Sequence, residues 1–309
     1  LTIREGRAIV EAARRYKRVV QTGMQHRSAP HYKEVEEIIQ SGQIGEVHFV
    51  HVCNYSTIYT SAGPVPADEE PPEGLDWDMY LGPAPKVPYN RLRFRTYRRF
   101  FDYSGGFITD FGAHRLDSVH QVMLDDRPLS AMGVGGYFGP KSIVDTPNVL
   151  HVTCEYKNWV LSYEGIQLNG FGTGPRVPGG RVPYNASGAL DRPHGEAFYG
   201  TKGTIFSDRV GYEIFPGGRG AGAEPKSVVG RDCTDVHTRN FIDCIRSRQK
   251  PVADAEIGHK STNVAHLGNI SYKVGGRKIR WDPDREQILD DPPAAALLER
   301  KARPPWDLI

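Results

Sequence analysis

The chain has 309 residues, 39% of them hydrophobic and 25% charged, with a formal net charge of +2. That length suits one large or two modest domains, and the composition is that of a folded chain. The balanced charge argues against a nucleic-acid or anionic-membrane binder, no apolar run approaches the roughly 20 residues of a membrane span, and no Cys or His cluster has zinc-ligand spacing.

In chain order, "LTIREGRAIVEAARRYKR" reads as a helix over residues 3–17, with Thr2 and Glu5 forming a capping box. It has no signal pattern and no initiator Met, as a processed chain or a fragment would. Cytoplasm and periplasm therefore both stay open. "RVVQTGMQH" reads as a short strand. "HYKEVEEIIQSGQIG" reads as a second helix with Tyr32, Val35, Ile38 and Ile39 on one face and Gly42 as its stop. "EVHFVHVCNYS" alternates as a strand. Residues 56–104 hold seven prolines and read as a long irregular insertion of the kind that serves as a lid or binding loop. A helix to about Met123 follows, then a β-rich region over 129–216 interrupted by the surface loop "GFGTGPRVPGGRVPYNASG". "TDVHTRNFIDCIRSRQ" and "AEIGHKSTNVAHLGNISYKVG" return to helix, and the tail "PPAAALLERKARPPW" adds a short one. The expected fold class is α+β: a large, mostly antiparallel sheet with helices on one face. Cys53, Cys154, Cys233 and Cys244 read as reduced core residues.

A dinucleotide site needs glycines in a strand-to-helix turn. "GVGGYFG" at 133–139 has Phe at position 138 where the pattern needs glycine, and Pro140 follows it, so it reads as a strand with a close-packed glycine pair. "GTKG" at 200–203 reads as a hairpin turn.

The stretch "GGFITDFGAHRLD" at 105–117 carries the chemistry-bearing side chains. Gly105 and Gly106 allow a tight turn, and Thr109 or Asp110 suits a helix cap. Asp110, His114 and Asp117 fall at i, i+4 and i+7, on one helix face. A carboxylate one turn from an imidazole orients it and favours its protonated form, an arrangement suited to proton transfer at a hydroxyl. Read from spacing alone, a capping Asp110 and a satisfied core His114 are the favoured account of the stretch.

With its G-G-x-x-x-D-x-G-x-H-x-x-D pattern, this stretch resembles the motif of the glucose-fructose oxidoreductase / inositol dehydrogenase / MocA family. "VVQTGMQHR", "HYKEVEEIIQSGQIGEVHFVHV", "GLDWDMYLGPAP" and "YGTKGTIFSD" resemble family segments in the same order. The resemblance implies an NAD(P)-dependent oxidoreductase of sugars or polyols. Residues 1–28 would be the end of a dinucleotide-binding domain, and 29–309 a substrate-binding sheet domain that packs against another copy. It implies His114 as proton relay and Asp110 as a ligand of a substrate hydroxyl. Gln25, on the cofactor side, and Arg27 would face the same cleft. Trp77, Tyr89, Asn90 and Arg98 would bind or stack on a sugar, and His194 would contact substrate. For Arg27 the competing expectation is a surface ion pair, and for the four insertion residues it is anchoring of the loop itself. The family's glycine-rich turn and its E-K-P lysine have no counterpart in this sequence, so hydride transfer by this chain alone is doubtful. A non-enzymatic sugar-binding or assembly domain is one alternative. Another is a cofactor-free lyase or hydrolase using Asp110 and His114, with His194 and Glu196 from "DRPHGEAFYG"; that segment otherwise reads as a polar turn.

Overall fold

A computed structural model describes residues 1–56, 65–169, 194–217 and 225–306. Its first helix, α1 (Ile3–Arg15), begins at the expected capping box: Glu5 N–H donates to Thr2 Oγ1 at 3.2 Å, and Thr2 N–H donates to the Glu5 carboxylate at 2.9 Å. Residues 18–22 do not form the expected strand. Gln21 makes one antiparallel bridge, to Asp254. No neighbouring strand lies there among the described residues, so the segment passes directly into a 3₁₀ turn, Gln25–Ser28. The parallel strand pairing of a dinucleotide fold is therefore not seen in residues 1–28.

The body of the protein is one sheet built from β1 (Val47–Tyr55), β2 (Ser130–Gly136), β3 (Val149–Glu155), β4 (Val160–Ile166), β5 (His194–Gly200), β6 (Gly203–Asp208), β7 (Gly211–Pro216), β8 (Lys226–Val229), β9 (Ile279–Asp282) and β10 (Gln287–Leu289). The strand order is β10-β9-β2-β3-β4-β1-β5-β6-β7-β8. The sheet is mixed, which corrects the expectation of a mostly antiparallel one. The central strands β1 and β4 run parallel, with Val50 opposite Leu161 and Val52 opposite Tyr163, because β1 enters the sheet long before the β2–β3–β4 meander closes against it. The β9–β10 hairpin was not foreseen; three or four residues per strand are too few for a periodic signal.

Three helices cover one face: α2 (Pro30–Gln40), α5 (Ala113–Met123) and α7 (Ala255–Lys273). Their apolar residues Val35, Leu116, Val119, Val264 and Leu267 form one core with Val50, Val152, Leu161 and Phe198 of the strands. Close packing of α7 requires Gly133 in β2: a Cβ there would lie 2.3 Å from the Gly268 carbonyl oxygen. The pair Gly135–Gly136 is close-packed as its strand setting suggested, a Cβ on Gly135 meeting the Val149 carbonyl oxygen of β3 at 2.2 Å. On the opposite face Met132, Val134 and Tyr199 are exposed, while Cys53, Tyr55, Ala197 and Phe206 form a separate buried cluster. The helices α3 (Trp77–Leu81) and α4 (Arg91–Arg95) order the Pro-rich insertion, α6 (Thr234–Ser247) packs beside the 25–28 turn, and α8 (Pro292–Ala295) lies in the tail. The four cysteines are free and buried. The predicted loop "GFGTGPRVPGGRVPYNASG" lies outside the described residues.

Candidate functional site

The "GGFITDFGAHRLD" stretch does not start as a capped α-helix. Gly106 adopts φ +74, a left-handed conformation that suits glycine, and residues Ile108–Gly112 form a π-turn that runs into α5. Thr109 Oγ1 accepts from Gly105 N–H at 2.9 Å and donates to the Gly106 carbonyl at 3.1 Å, which closes the entry turn. Asp110 is no cap. Its carboxylate pairs with Arg98, Nε to Oδ2 at 2.6 Å, and Arg98 reaches it from the 3₁₀ turn Tyr97–Arg99 of the insertion.

His114 is half-buried, and its Nδ1 has no hydrogen-bond partner among the described residues. Its pKa is lowered to about 4, first by burial, then by the Arg209 and Arg115 guanidiniums, against a smaller opposing effect of the Gly23 backbone. This reverses the direction expected from a neighbouring carboxylate. The imidazole is neutral near pH 7 and can accept a proton there. His26 stands 5.8 Å from it, ring centroid to centroid, and Tyr32 stacks on His26 at 4.8 Å. Asp117, completely buried, turns away from His114: Arg27 Nε lies 2.9 Å from both of its oxygens, and Ser261 donates to it at 2.8 Å. Arg27 is therefore committed to a buried ion pair rather than a surface one.

Behind His114 lies a second charged group. Arg115 Nη1 is 3.4 Å from Glu196 and 3.2 Å from the Tyr32 hydroxyl, and all three residues are buried. Burial raises the Glu196 carboxyl to about 7, more than Arg115 lowers it. Glu196 lies inside β5, not in the polar turn expected for "DRPHGEAFYG", because alternation along β5 points it into the core beside Phe198. His194 opens the same strand, opposite Asn54.

The structure thus pairs Arg98 with Asp110 at the entry of the helix, and on that helix sets His114 against His26, which Arg209 holds. Gln25 lines a cavity of about 10 Å³ with His26, Tyr32 and Arg209, too small for more than one water. Trp77 and Tyr89 are buried in the insertion's own aromatic cluster, ring centroids 5.1 Å apart, and Trp77 Nε1 donates to the Val87 carbonyl. Asn90 is buried and caps α4, donating also to Pro66 and Asp68. These three anchor the insertion. His26 and Arg209 had no readable signal: one sits in an ordinary "MQHR", the other in the β6–β7 turn.

The sequence matches the oxidoreductase family's C-terminal alpha/beta domain over residues 30–134 and 228–308, more than half of the chain. No curated protein matches it. Several solved structures share the fold. An oxidoreductase from Thermotoga maritima is 15% identical, with a TM-score of 0.59, covering 90% of this chain and 67% of that one. The aldose-aldose oxidoreductase from Caulobacter crescentus, solved with glycerol, is 13% identical, with a TM-score of 0.63 and coverage of 90% and 69%. Levoglucosan dehydrogenase, solved with NADH and levoglucosan, is 13% identical, with a TM-score of 0.62 and coverage of 90% and 70%. The entry turn, the helix carrying His114 and the strands β1, β2, β9 and β10 lie within the matched residues, and the chain belongs to the glucose-fructose oxidoreductase / inositol dehydrogenase / MocA oxidoreductase family.

Proposed function

We propose that this chain presents the substrate side of a sugar or polyol oxidoreductase site, with residues 29–309 as the substrate and assembly unit and 1–28 as the end of a dinucleotide-binding unit. The observation that carries the reading is His114, neutral near pH 7, with an unpartnered Nδ1, on the helix entered through the Arg98-held Asp110. Converting a carbinol to a carbonyl releases the hydroxyl proton. A neutral imidazole takes that proton and returns it in the reverse direction. Asp110 accepts from a neighbouring hydroxyl while Arg98 donates to it, a pairing suited to a vicinal diol.

NAD(P) is the hydride partner that family membership implies, and NADH is present in the levoglucosan dehydrogenase structure of the same fold. The described residues do not form its phosphate cradle. The Gly133–Gly136 run is a strand, with Gly133 against α7, and no G-x-G-x-x-G turn opens a helix among the described residues. A second copy is the proposed partner for the exposed part of that sheet face, around Met132 and Val134.

Calorimetric titration of the chain with a panel of sugars and polyols tests the reading. Binding that weakens about tenfold in both His114→Ala and Asp110→Asn supports it, the loss expected for one hydrogen bond to each side chain. No binding across the panel rejects it.

A further inference from the structure

We propose that His26 is a positioning residue for His114, locked in one tautomer by Arg209 and tied to the His114 turn through Ser118. This rests on the reading of His114 as the proton-transfer group, but its core is testable without any substrate.

The argument is a donor count. Arg209 Nε lies 2.9 Å from His26 Nε2. A guanidinium only donates, so Nε2 must be the bare, accepting nitrogen. The His26 proton then sits on Nδ1, which is 2.8 Å from Ser118 Oγ. With that oxygen accepting from Nδ1–H, the Ser118 hydroxyl proton is free to donate to the His114 carbonyl at 2.9 Å. Each donor has one acceptor, and the chain runs in one direction only, from Arg209 through His26 and Ser118 to His114. Protonating His26 would place a second donor against the guanidinium, so the ring is held neutral. Burial and the charges facing it, Arg115 and His114 from α5, Arg209 from the β6–β7 turn and His31 from α2, act in the same direction.

The geometric consequence is a fixed wall. Tyr32 stacks on one face of His26 with an interplanar angle of 9°, and the His114 ring stands against it at 42°. Arg209, more than ninety residues further along the chain, thereby sets the ring seat of His114 and the turn just after the π-turn. A histidine placed this way is serving orientation: no reacting atom needs to touch it.

The test is long-range proton–nitrogen NMR of the ¹⁵N-labelled full chain at pH 7. The expected result is an Nδ1–H pattern for His26. In Arg209→Met the tautomer becomes mixed, and the His114 titration midpoint rises by about one unit as the facing cation is removed. Ser118→Ala also loosens the His26 tautomer, and it leaves the His114 midpoint lower than in Arg209→Met. An Nε2–H or doubly protonated His26 in the native chain overturns the proposal. So does an Arg209→Met variant in which neither His26 nor His114 changes. Because Arg209 is in a turn, this variant keeps the test available if His26→Leu fails to fold. Sugar binding is read separately: an Nδ1–H His26 with no sugar bound would sink the functional reading and leave the positioning role intact.

Discussion

Arg98 Nε lies 2.6 Å from Asp110 Oδ2 and ties the Pro-rich insertion to the helix that carries His114. The Arg98 side chain is 43% exposed, and a pair so open to water adds little to stability, about 1 kcal/mol at most. Its position at the motif points to ligand binding. Arg98→Met is expected to weaken sugar or polyol affinity about tenfold while shifting Tm by less than about 3 °C. Calorimetry and thermal melts on the same preparation check both halves. A large Tm drop with unchanged affinity would make the pair structural.

The buried Arg115–Glu196 pair gives a pH-dependent prediction. The folded pKa of Glu196, about 7, lies above its ordinary value of 4.5. Its contribution is therefore fully present below about pH 4.5 and is lost as pH rises through 7. Removing the guanidinium leaves a buried carboxylate uncompensated only where it is ionised. Arg115→Met is expected to destabilise by about 3 kcal/mol at pH 8 and by roughly half that at pH 5. Urea unfolding at the two pH values measures the difference, and an equal loss at both would refute the raised pKa.

The histidines act in the opposite direction. His114 is lowered to about 4, His120 and His266 to about 3, and His26 well below its ordinary value, in each case first by burial. A depressed folded pKa gives stability that is present above about 6.5 and lost as pH falls toward the folded value. Glu196 gains stability over 7 to 4.5 and offsets part of this, as do Asp117 and Asp145 at lower pH, their pKa values being raised first by burial. Four histidines outweigh them. Unfolding free energy is expected to fall by roughly 3 kcal/mol from pH 7 to pH 5. A flat profile would contradict the buried neutral histidines.

On the sheet face away from the helices, Val134 is 58% exposed and Met132 42%, and further across the sheet Phe49 and Tyr199 are in contact, ring centroids 5.5 Å apart. A second copy seated there would cover them. Sedimentation of the native chain is expected to show a dimer or larger assembly, and Val134→Asp to shift it toward monomer at micromolar concentration. A native monomer would remove the proposed assembly face.

What was legible in the sequence follows contact range. The Thr2–Glu5 box joins residues three apart, and its two hydrogen bonds form as the spacing predicts. The helix carrying His114 and the strand at Val47–Tyr55 follow from periodicity. The partners of the site residues do not. Asp110 is held by Arg98 from a segment without period, Asp117 by Arg27 ninety residues earlier, and His26 by Arg209 from a hairpin turn. The protonation of His114 departs from its local sequence for the same reason. The local carboxylates Asp110 at i−4 and Asp117 at i+3 suggest a cation, whereas burial and two arginines, one of them distant in the chain, make it neutral. The parallel β1–β4 pair was hidden similarly, since it joins strands more than a hundred residues apart.

The most direct measurement is the His114 ring signal during titration of the chain with a sugar or polyol that binds it. The account predicts that Nδ1 shifts in step with occupancy, that the His114 titration midpoint moves when ligand binds, and that His114→Ala loses about tenfold in affinity. A ligand that binds with the His114 signal and midpoint unchanged, and equally well to His114→Ala, would contradict it.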